Sequence, residues 1–376
     1  MEGAPTFARV VLDSPLPQLD RLFDYRIPES LRAIAHPGAR VIVPLRTAGR
    51  RARGYIVELA DAVDFDGPVH DLEDVVSEVP VLDAAVWRLV RRAADRAAGT
   101  ASDLLRLAVP ARMVRVEKAW LAREGAAPPL PPERGLTGYD TEQSRALLDG
   151  ASPAHSQHRV ALRARAHPVA LDDGTWVPAF AQTLAELAAA TLATGRSAIV
   201  SVPDYRDVAH VERAARAFLD EDLIARVDAG QSNPDRYRGF LRTLERRPVL
   251  VLGTRTAVTA PAHELGLIAV WDDGDPLHVE QHAPGVHTRD LALLRQEHEQ
   301  CALVFAGHAP SADVQRLVEL GWLTALAPKP EARRRLTPTA HQVNAEPSAE
   351  RARIPSSAWQ TASRALERGP VLVQVA

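Results

Sequence analysis

From about residue 180 to residue 320, short continuous apolar runs alternate with helical patterns, and this rhythm constrains the fold more than any other feature. Pro248-Val-Leu-Val-Leu252 and Gly266-Leu-Ile-Ala-Val270 lack polar alternation, so strands built from them must be buried on both faces. A parallel sheet with helices on each side satisfies that requirement. The pattern predicts helix 180–193 stopping at Gly195, strand 197–202, helix 204–219, strand 223–227, helix 232–246 and strand 249–252. Strand 267–271, helix 287–301, strand 302–306 and helix 311–320 complete it. Right-handed βαβ connections in one open sheet follow.

Ahead of this α/β region, residues 7–12, 39–45, 53–59 and 75–79 read as strands, punctuated by Pro15, Pro17, Pro28 and Pro37-Gly38. Asp83 is placed to cap a helix whose Val86, Leu89, Val90, Ala93 and Ala97 share a face and which Gly99 stops. Ser102 is placed to cap a shorter helix before Pro110. Residues 120–175 change character. Ala-Pro-Pro-Leu-Pro-Pro at 127–132 reads as a stiff linker, and the Ala-, Arg- and His-rich stretch after it as a small helical subdomain. Residues 327–356 are polar, Pro-rich and basic around Glu331-Ala-Arg-Arg-Arg, and read as a second linker before helix 357–367 and strand 370–375. A chain that stops on a strand leads us to expect a truncated protein or a fragment.

Composition excludes several chemistries. Of 45 Lys and Arg residues, only Lys118 and Lys329 are lysine. Neither follows a glycine, so no Gly-x-x-x-x-Gly-Lys-Ser/Thr phosphate loop can be written. Lys118 sits in a charged stretch and Lys329 between prolines, poor settings for a Schiff base or general base. Arginine in place of lysine also fits a genome rich in G and C. The formal net charge of −3 excludes a chain that coats nucleic acid by bulk charge. Cys301 alone excludes an internal disulfide and a Cys-rich zinc site, and suits a reducing compartment. No apolar run nears the roughly 18 residues of a membrane span, and Met1-Glu-Gly-Ala-Pro lacks a signal-peptide pattern. The expected location is cytoplasmic and nucleoid-associated, without a membrane partner.

Ala8-Arg-Val-Val-Leu-Asp-Ser-Pro-Leu-Pro-Gln-Leu-Asp-Arg-Leu-Phe-Asp-Tyr-Arg-Ile-Pro-Glu29 resembles the opening of the PriA family, the replication-restart helicases also called primosomal protein N′. Pro37-Gly-Ala-Arg-Val-Ile-Val-Pro-Leu45, Gly54-Tyr-Ile-Val-Glu-Leu59 and Val81-Leu-Asp-Ala-Ala-Val-Trp-Arg-Leu-Val-Arg-Arg-Ala-Ala-Asp95 continue the likeness. Gly253-Thr-Arg-Thr-Ala-Val-Thr-Ala-Pro261 is similar to the family's Gly-Thr-Arg-Ser-Ala-Val-Phe-Ala-Pro, and His287-Thr-Arg-Asp290 to its His-Ala-Arg-Asp. The resemblance implies a small β-rich DNA-binding domain with helices over 1–115 and a linker with a possible degenerate winged helix over 116–178. It further implies a RecA-like parallel-sheet lobe over 179–327 and the start of a second lobe over 328–376. The family's zinc would belong to a Cys-rich part that has no ligands here.

The resemblance also implies ATP and Mg²⁺, and here the chain departs from the family. Counting back from Gly195-Arg196, the phosphate loop should occupy Gly174-Thr-Trp-Val-Pro-Ala-Phe-Ala181, which places Phe180 where the lysine belongs. Pro178 removes an N–H that would face phosphate. The family's Asp-Glu-x-His stands as Trp271-Asp272-Asp273-Gly274, with Trp271 at the metal-holding acid and Asp272 at the catalytic Glu; a shift of one residue would restore an Asp. Gly-Ser-Ala-Thr-Pro has become Ala306-Gly-His-Ala-Pro310. Lysine-to-arginine bias does not account for a phenylalanine, so the nucleotide site is expected to be degenerate and no cofactor is expected in this chain.

The 3′-end site is better kept. By resemblance, Asp24 in Phe23-Asp24-Tyr25 accepts a hydrogen bond from a free 3′-hydroxyl and repels the phosphate of a continuing strand, and Tyr25 beside it is expected to contact DNA. The family's Gly after the Val-Pro strand is here Arg46, and its Lys in the next turn falls near Glu73. Asp24 is equally suited to capping a turn amide. Arg46, Arg50, Arg51 and Arg53 form a basic loop that suits phosphate or a solvated hairpin tip. Arg255 either touches DNA or links strand to helix. His278, His282 and His287 lack the frame of a metal site and read as loop residues. Cys301 reads as core.

The expected function is replication restart. The chain would bind stalled or abandoned forks, 3′ ends and single strands. It would engage primosome and helicase-loading proteins, and single-stranded DNA-binding protein, as a helicase homologue without an engine. The alternatives are an active ATP-dependent 3′–5′ helicase with a divergent site, and a binding module with another partner.

Overall fold

The computed structural model describes residues 6–45, 50–63, 67–123, 128–149, 158–330, 354, 356–367 and 371–373. It divides into two units, Met1–Lys329 and Pro330–Ala376.

The first unit begins with a five-stranded antiparallel sheet in the order β2-β1-β4-β3-β5. Its strands are β1 (Phe7–Leu12), β2 (Leu22–Arg26), β3 (Arg40–Pro44), β4 (Arg51–Ala60) and β5 (Asp74–Ser77). The Arg26 amide donates to the His70 carbonyl and its own carbonyl accepts from the Leu72 amide, both at 2.9 Å, which draws β2 toward the segment entering β5 and rolls the sheet on itself. Ala8, Val10, Leu12, Tyr25, Val41, Val43, Ile56 and Leu72 fill the interior. On the outer surface Val11 joins a second core with α1 (Ala84–Arg96) and α2 (Ala101–Ala108). Asp83 caps α1, accepting from the Ala85 and Val86 amides. Thr100 caps α2 in a reciprocal box with Asp103, so Ser102 is not the cap; its hydroxyl donates to Asp13 instead. Strand β2 and helix α3 (Val114–Leu121) are additions to the sequence reading.

The expected parallel sheet is present and has seven strands, ordered β10-β11-β9-β12-β13-β6-β14. Its members are β6 (Arg159–Arg163), β9 (Ser197–Ser201), β10 (Ile224–Arg226), β11 (Leu250–Gly253), β12 (Leu265–Trp271), β13 (Ala302–Gly307) and β14 (Thr324–Leu326). Side chains alternate between two cores as a strand buried on both faces requires. Ala198, Val200, Leu250 and Leu252 meet α5 (Ala179–Ala193) and α6 (Tyr205–Ala215) on one face. Ile199, Val251 and Ile268 meet α7 (Asn233–Thr243) and α8 (Thr288–Glu299) on the other, in a core continuous with α1 and α2. Helix α9 (Ala312–Glu319) follows β13. Gly239 lets α7 lie on the β10 edge: a Cβ there would stand 1.8 Å from the Arg226 carbonyl oxygen.

The segment read as a linker and winged-helix remnant needs correction. It contains α4 (Thr141–Asp149), then β6, which pairs in parallel with both β13 and β14 inside the sheet, then a hairpin of β7 (Pro168–Ala170) and β8 (Trp176–Pro178). The lobe therefore starts near residue 159, not 179. The second unit contains helix α10 (Ser356–Leu366). Residues 371–373 of the expected strand 370–375 are not in a strand, and the Arg-rich stretch 331–335 lies outside the described residues.

Candidate functional site

Strand β2 has the period of two that sends Phe23 and Tyr25 into the rolled sheet and Asp24 outward. Tyr25 is therefore not a surface contact. It is 5% exposed, its hydroxyl donates to the Pro44 carbonyl at 3.2 Å, and burial pushes its pKa up to about 12. Asp24 stands opposite Arg9 in the β1–β2 ladder. Arg9 Nε lies 3.4 Å from Asp24 Oδ1, and the Asp24 side chain is 17% exposed. Arg9 stands also opposite Glu58 of β4 and donates to Glu58 Oε1 at 2.7 Å. The three charges form one row across three strands.

The β3–β4 hairpin brings the arginines to its tip. Pro44 pairs with Arg51 and Ile42 with Arg53, and the Leu45 amide donates to the Arg50 carbonyl. Arg50, Arg51 and Arg53 are exposed. Arg51 Nε lies 2.5 Å from Glu73 Oε2, so the acid at the family's lysine position neutralises one of the loop's cations. Through Tyr25 and Pro44 the structure sets β2 against this hairpin. Arg46 lies outside the described residues.

The nucleotide region differs from the sequence expectation in where its loop runs. The strand that feeds α5 is β6, so the connection at the carboxyl end of the sheet spans residues 164–178. It is not an open loop but the β7–β8 hairpin. Gly174 sits in the turn at φ +81, where Asp173 Oδ1 accepts the Thr175 amide and the Leu171 amide donates to Thr175. The Ala179 amide at the start of α5 donates to the His167 carbonyl at 3.0 Å. Arg165, which the sequence reading missed, is buried and donates to Gln182 of α5 at 3.0 Å.

Phe180 is 7% exposed and stacks on Trp271 at the end of β12, with centroids 4.0 Å apart and planes 8° from parallel. His308 also meets Trp271, edge-on, with centroids 5.2 Å apart. Asp273 is buried and accepts from Arg289 at 3.1 Å and Ser311 at 2.7 Å; Arg289 belongs to the His287-Thr-Arg-Asp290 motif. Asp272 has its pKa raised by burial and by Asp275 and Asp273. Asp207 is pushed up to about 6 by burial, Asp204, Asp272 and Asp275. Among the described residues no group of His, Cys, Asp and Glu is arranged to hold a metal.

Arg255 is committed to Glu280, with Nε donating to Oε2 at 2.7 Å. Burial works to raise the Glu280 pKa, but bonds from Arg255 and His282 outweigh it and hold it at about 2. His278 Nε2 bonds the Trp271 carbonyl at 2.7 Å, His282 meets Glu280, and His287 accepts from the Arg289 amide. Each histidine thus has a structural partner. Cys301 is fully buried and its thiol is pushed up to about 12 by burial.

Sequence reasoning also missed a junction between the rolled sheet and the lobe. Glu117 of α3, 2% exposed, accepts from Ser77 of β5 at 2.8 Å, from Arg112 at 2.9 and 2.7 Å, and from the Tyr237 hydroxyl of α7 at 2.5 Å. Burial would raise its pKa, but the bonds from Arg112, Tyr237 and Ser77 bring it below the ordinary value.

Residues 9–110 match the family described as the 3′DNA-binding domain (3′BD) of PriA. A Mycobacterium tuberculosis (strain CDC 1551 / Oshkosh) protein named probable replication restart protein PriA is 38% identical over 370 residues, covering 96% of this chain and 54% of that protein. The replication restart protein PriA of Bacillus subtilis (strain 168) is 19% identical over 459 residues, covering 88% and 57%. The chain thus spans about half the length of the curated relatives it matches. Among solved structures, the UvsW helicase from bacteriophage T4 aligns with a TM-score of 0.32 at 13% identity, over 58% of this chain and 69% of that one. Among the described residues no helix is long and apolar enough to cross a membrane.

Proposed function

The chain is PriA-like, and from that premise we propose that it is a replication restart protein that engages stalled or abandoned forks through residues 9–110 and provides a platform for primosome and helicase-loading proteins in the cytoplasm. The observation that carries this reading is the 3′ DNA-binding domain itself, with Asp24 facing outward beside Arg9 and Glu58 and a separate basic tip on the β3–β4 hairpin. A carboxylate there accepts a bond from a terminal 3′-hydroxyl and repels a terminal or continuing phosphate, which separates ends from interiors. Arg50 and Arg53 neutralise phosphates of the same strand. Residues near Arg255 belong to the lobe's own packing in this reading.

The same proposal holds that the chain restarts replication without hydrolysing ATP. Its support is the Phe180–Trp271 stack and the hairpin in the place of a phosphate loop, whose helix-starting amide is already bonded to His167. Triphosphate binding at a helix N-terminus uses free N–H groups and a cation; at α5 the first N–H is taken by His167 and Phe180 stands where the family's lysine would be, stacked on Trp271.

The test is equilibrium binding to a labelled fork carrying a 3′-hydroxyl or a 3′-phosphate at its nascent end, with the wild-type chain and Asp24→Asn. The expected result is tighter binding of the hydroxyl end by wild type and loss of that preference in the variant. Equal wild-type affinity for both ends would overturn the Asp24 assignment.

A further inference from the structure

The row Asp24–Arg9–Glu58 contains more than a cross-strand ion pair. Glu58 Oε1 takes Arg9 Nη1 at 2.7 Å, which fixes the guanidinium from the β4 side. The Nε edge then faces Asp24 Oδ1 at 3.4 Å. Asp24 is the more enclosed of the two acids, at 17% against 49% side-chain exposure. A carboxylate meeting DNA faces two difficulties. It is repelled by the phosphates it must approach, and as a rotating group it presents no fixed acceptor. An anchored arginine beside it answers the second, because a guanidinium fixed by Glu58 restrains the carboxylate it pairs with.

We propose that Arg9 is a positioning residue for 3′-end recognition. Anchored by Glu58, it holds Oδ1 of Asp24 and turns Oδ2 outward as the acceptor for the terminal 3′-hydroxyl. The ligand is the 3′-terminal nucleotide of a DNA strand with a free hydroxyl. This inference rests on the Asp24 reading above. It adds that Glu58 acts at second hand through Arg9, and that the preference for a hydroxyl over a phosphate is set by the row and not by Asp24 alone.

The experiment uses the full chain and the two fork substrates, and reads the ratio of the 3′-phosphate to the 3′-hydroxyl dissociation constant. Arg9→Gln and Glu58→Gln are each expected to lower that ratio, Arg9→Gln by roughly threefold, the worth of a partly exposed ion pair. In an Asp24→Asn background Arg9→Gln is expected to change the ratio no further, since it acts through that carboxylate. A simple phosphate contact by Arg9 behaves differently. It weakens both substrates equally and reduces the log–log salt slope by about 0.7, and that outcome overturns the inference. Unchanged thermal unfolding of the variants excludes a loss of fold as the cause. If Asp24→Asn abolishes the preference while Arg9→Gln and Glu58→Gln leave it intact, the Arg9 role fails and the Asp24 reading stands. If wild type shows no preference, the Asp24 reading fails first.

Discussion

Replacing Glu117 by alanine strips three donors of their acceptor in one step. Tyr237 is fully buried and Ser77 nearly so, while the Arg112 side chain keeps 24% exposure. Removing one partner of a buried charged pair costs about 3–5 kcal/mol. Water can reach part of Arg112, so the lower end applies, about 3 kcal/mol. At about 2–4 °C per kcal/mol for a large domain, the midpoint should fall by about 6–12 °C. Tyr237→Phe removes one donor to a charged acceptor and should cost about 1.5–3 kcal/mol. The double variant should lose less than the sum, by at least about 0.5 kcal/mol, because both changes act on one network. The assay is urea and thermal unfolding followed by tryptophan fluorescence. The acid dependence has a defined sign. Glu117 is held below its ordinary pKa, so its contribution is present above the ordinary carboxylate range and is lost as pH falls through the lowered value. The gap between wild type and Glu117→Ala should therefore narrow in acid. A Glu117→Ala variant within about 0.5 kcal/mol of wild type at neutral pH, or strict additivity with Tyr237→Phe, would refute the network as a structural tie.

Asp207, with its pKa raised to about 6, favours the fold most below the unfolded value and loses that contribution as pH rises through about 6; Asp207→Asn should flatten this slope and raise the midpoint at pH 8. Phe180→Ala should cost about 3–5 kcal/mol and shift the emission of Trp271, its stacking partner; an unchanged spectrum and midpoint would contradict the stack. Arg50→Ala and Arg53→Ala should each reduce the salt slope of single-strand binding by about 0.7, whereas Arg51→Ala, whose guanidinium is paired with Glu73, should change it less.

The parallel sheet was legible because strands such as β11 and β12 are buried on both faces, which removes polar residues from the sequence itself. Strand β6 was not, because Arg159 and Arg163 bracket its three apolar residues and only its neighbours β13 and β14 make it a strand. Strand β2 carries a readable alternation in Phe23, Asp24 and Tyr25, in which period two sends Tyr25 inward, so the expected DNA contact is a buried side chain. The β7–β8 turn was likewise legible in Asp172-Asp173-Gly174-Thr175, a sequence with strong turn chemistry. Glu117 gave no signal. A buried glutamate is explained only by three donors that lie 40, 5 and 120 residues away. At the candidate site Asp24 was legible by resemblance and the arginine tip from its own residues, but not the row through Arg9 and Glu58, since cross-strand register is set by the turns and bulges of the folded sheet.

We propose that the 3′ DNA-binding domain over residues 9–110 is joined to a parallel-sheet lobe in which the Phe180–Trp271 stack occupies the place of a nucleotide site. Calorimetric titration of the chain–fork complex with MgATP tests this most directly. The account predicts no saturable heat and no change in fork affinity. Saturable MgATP binding that is lost on Asp272→Ala would contradict it.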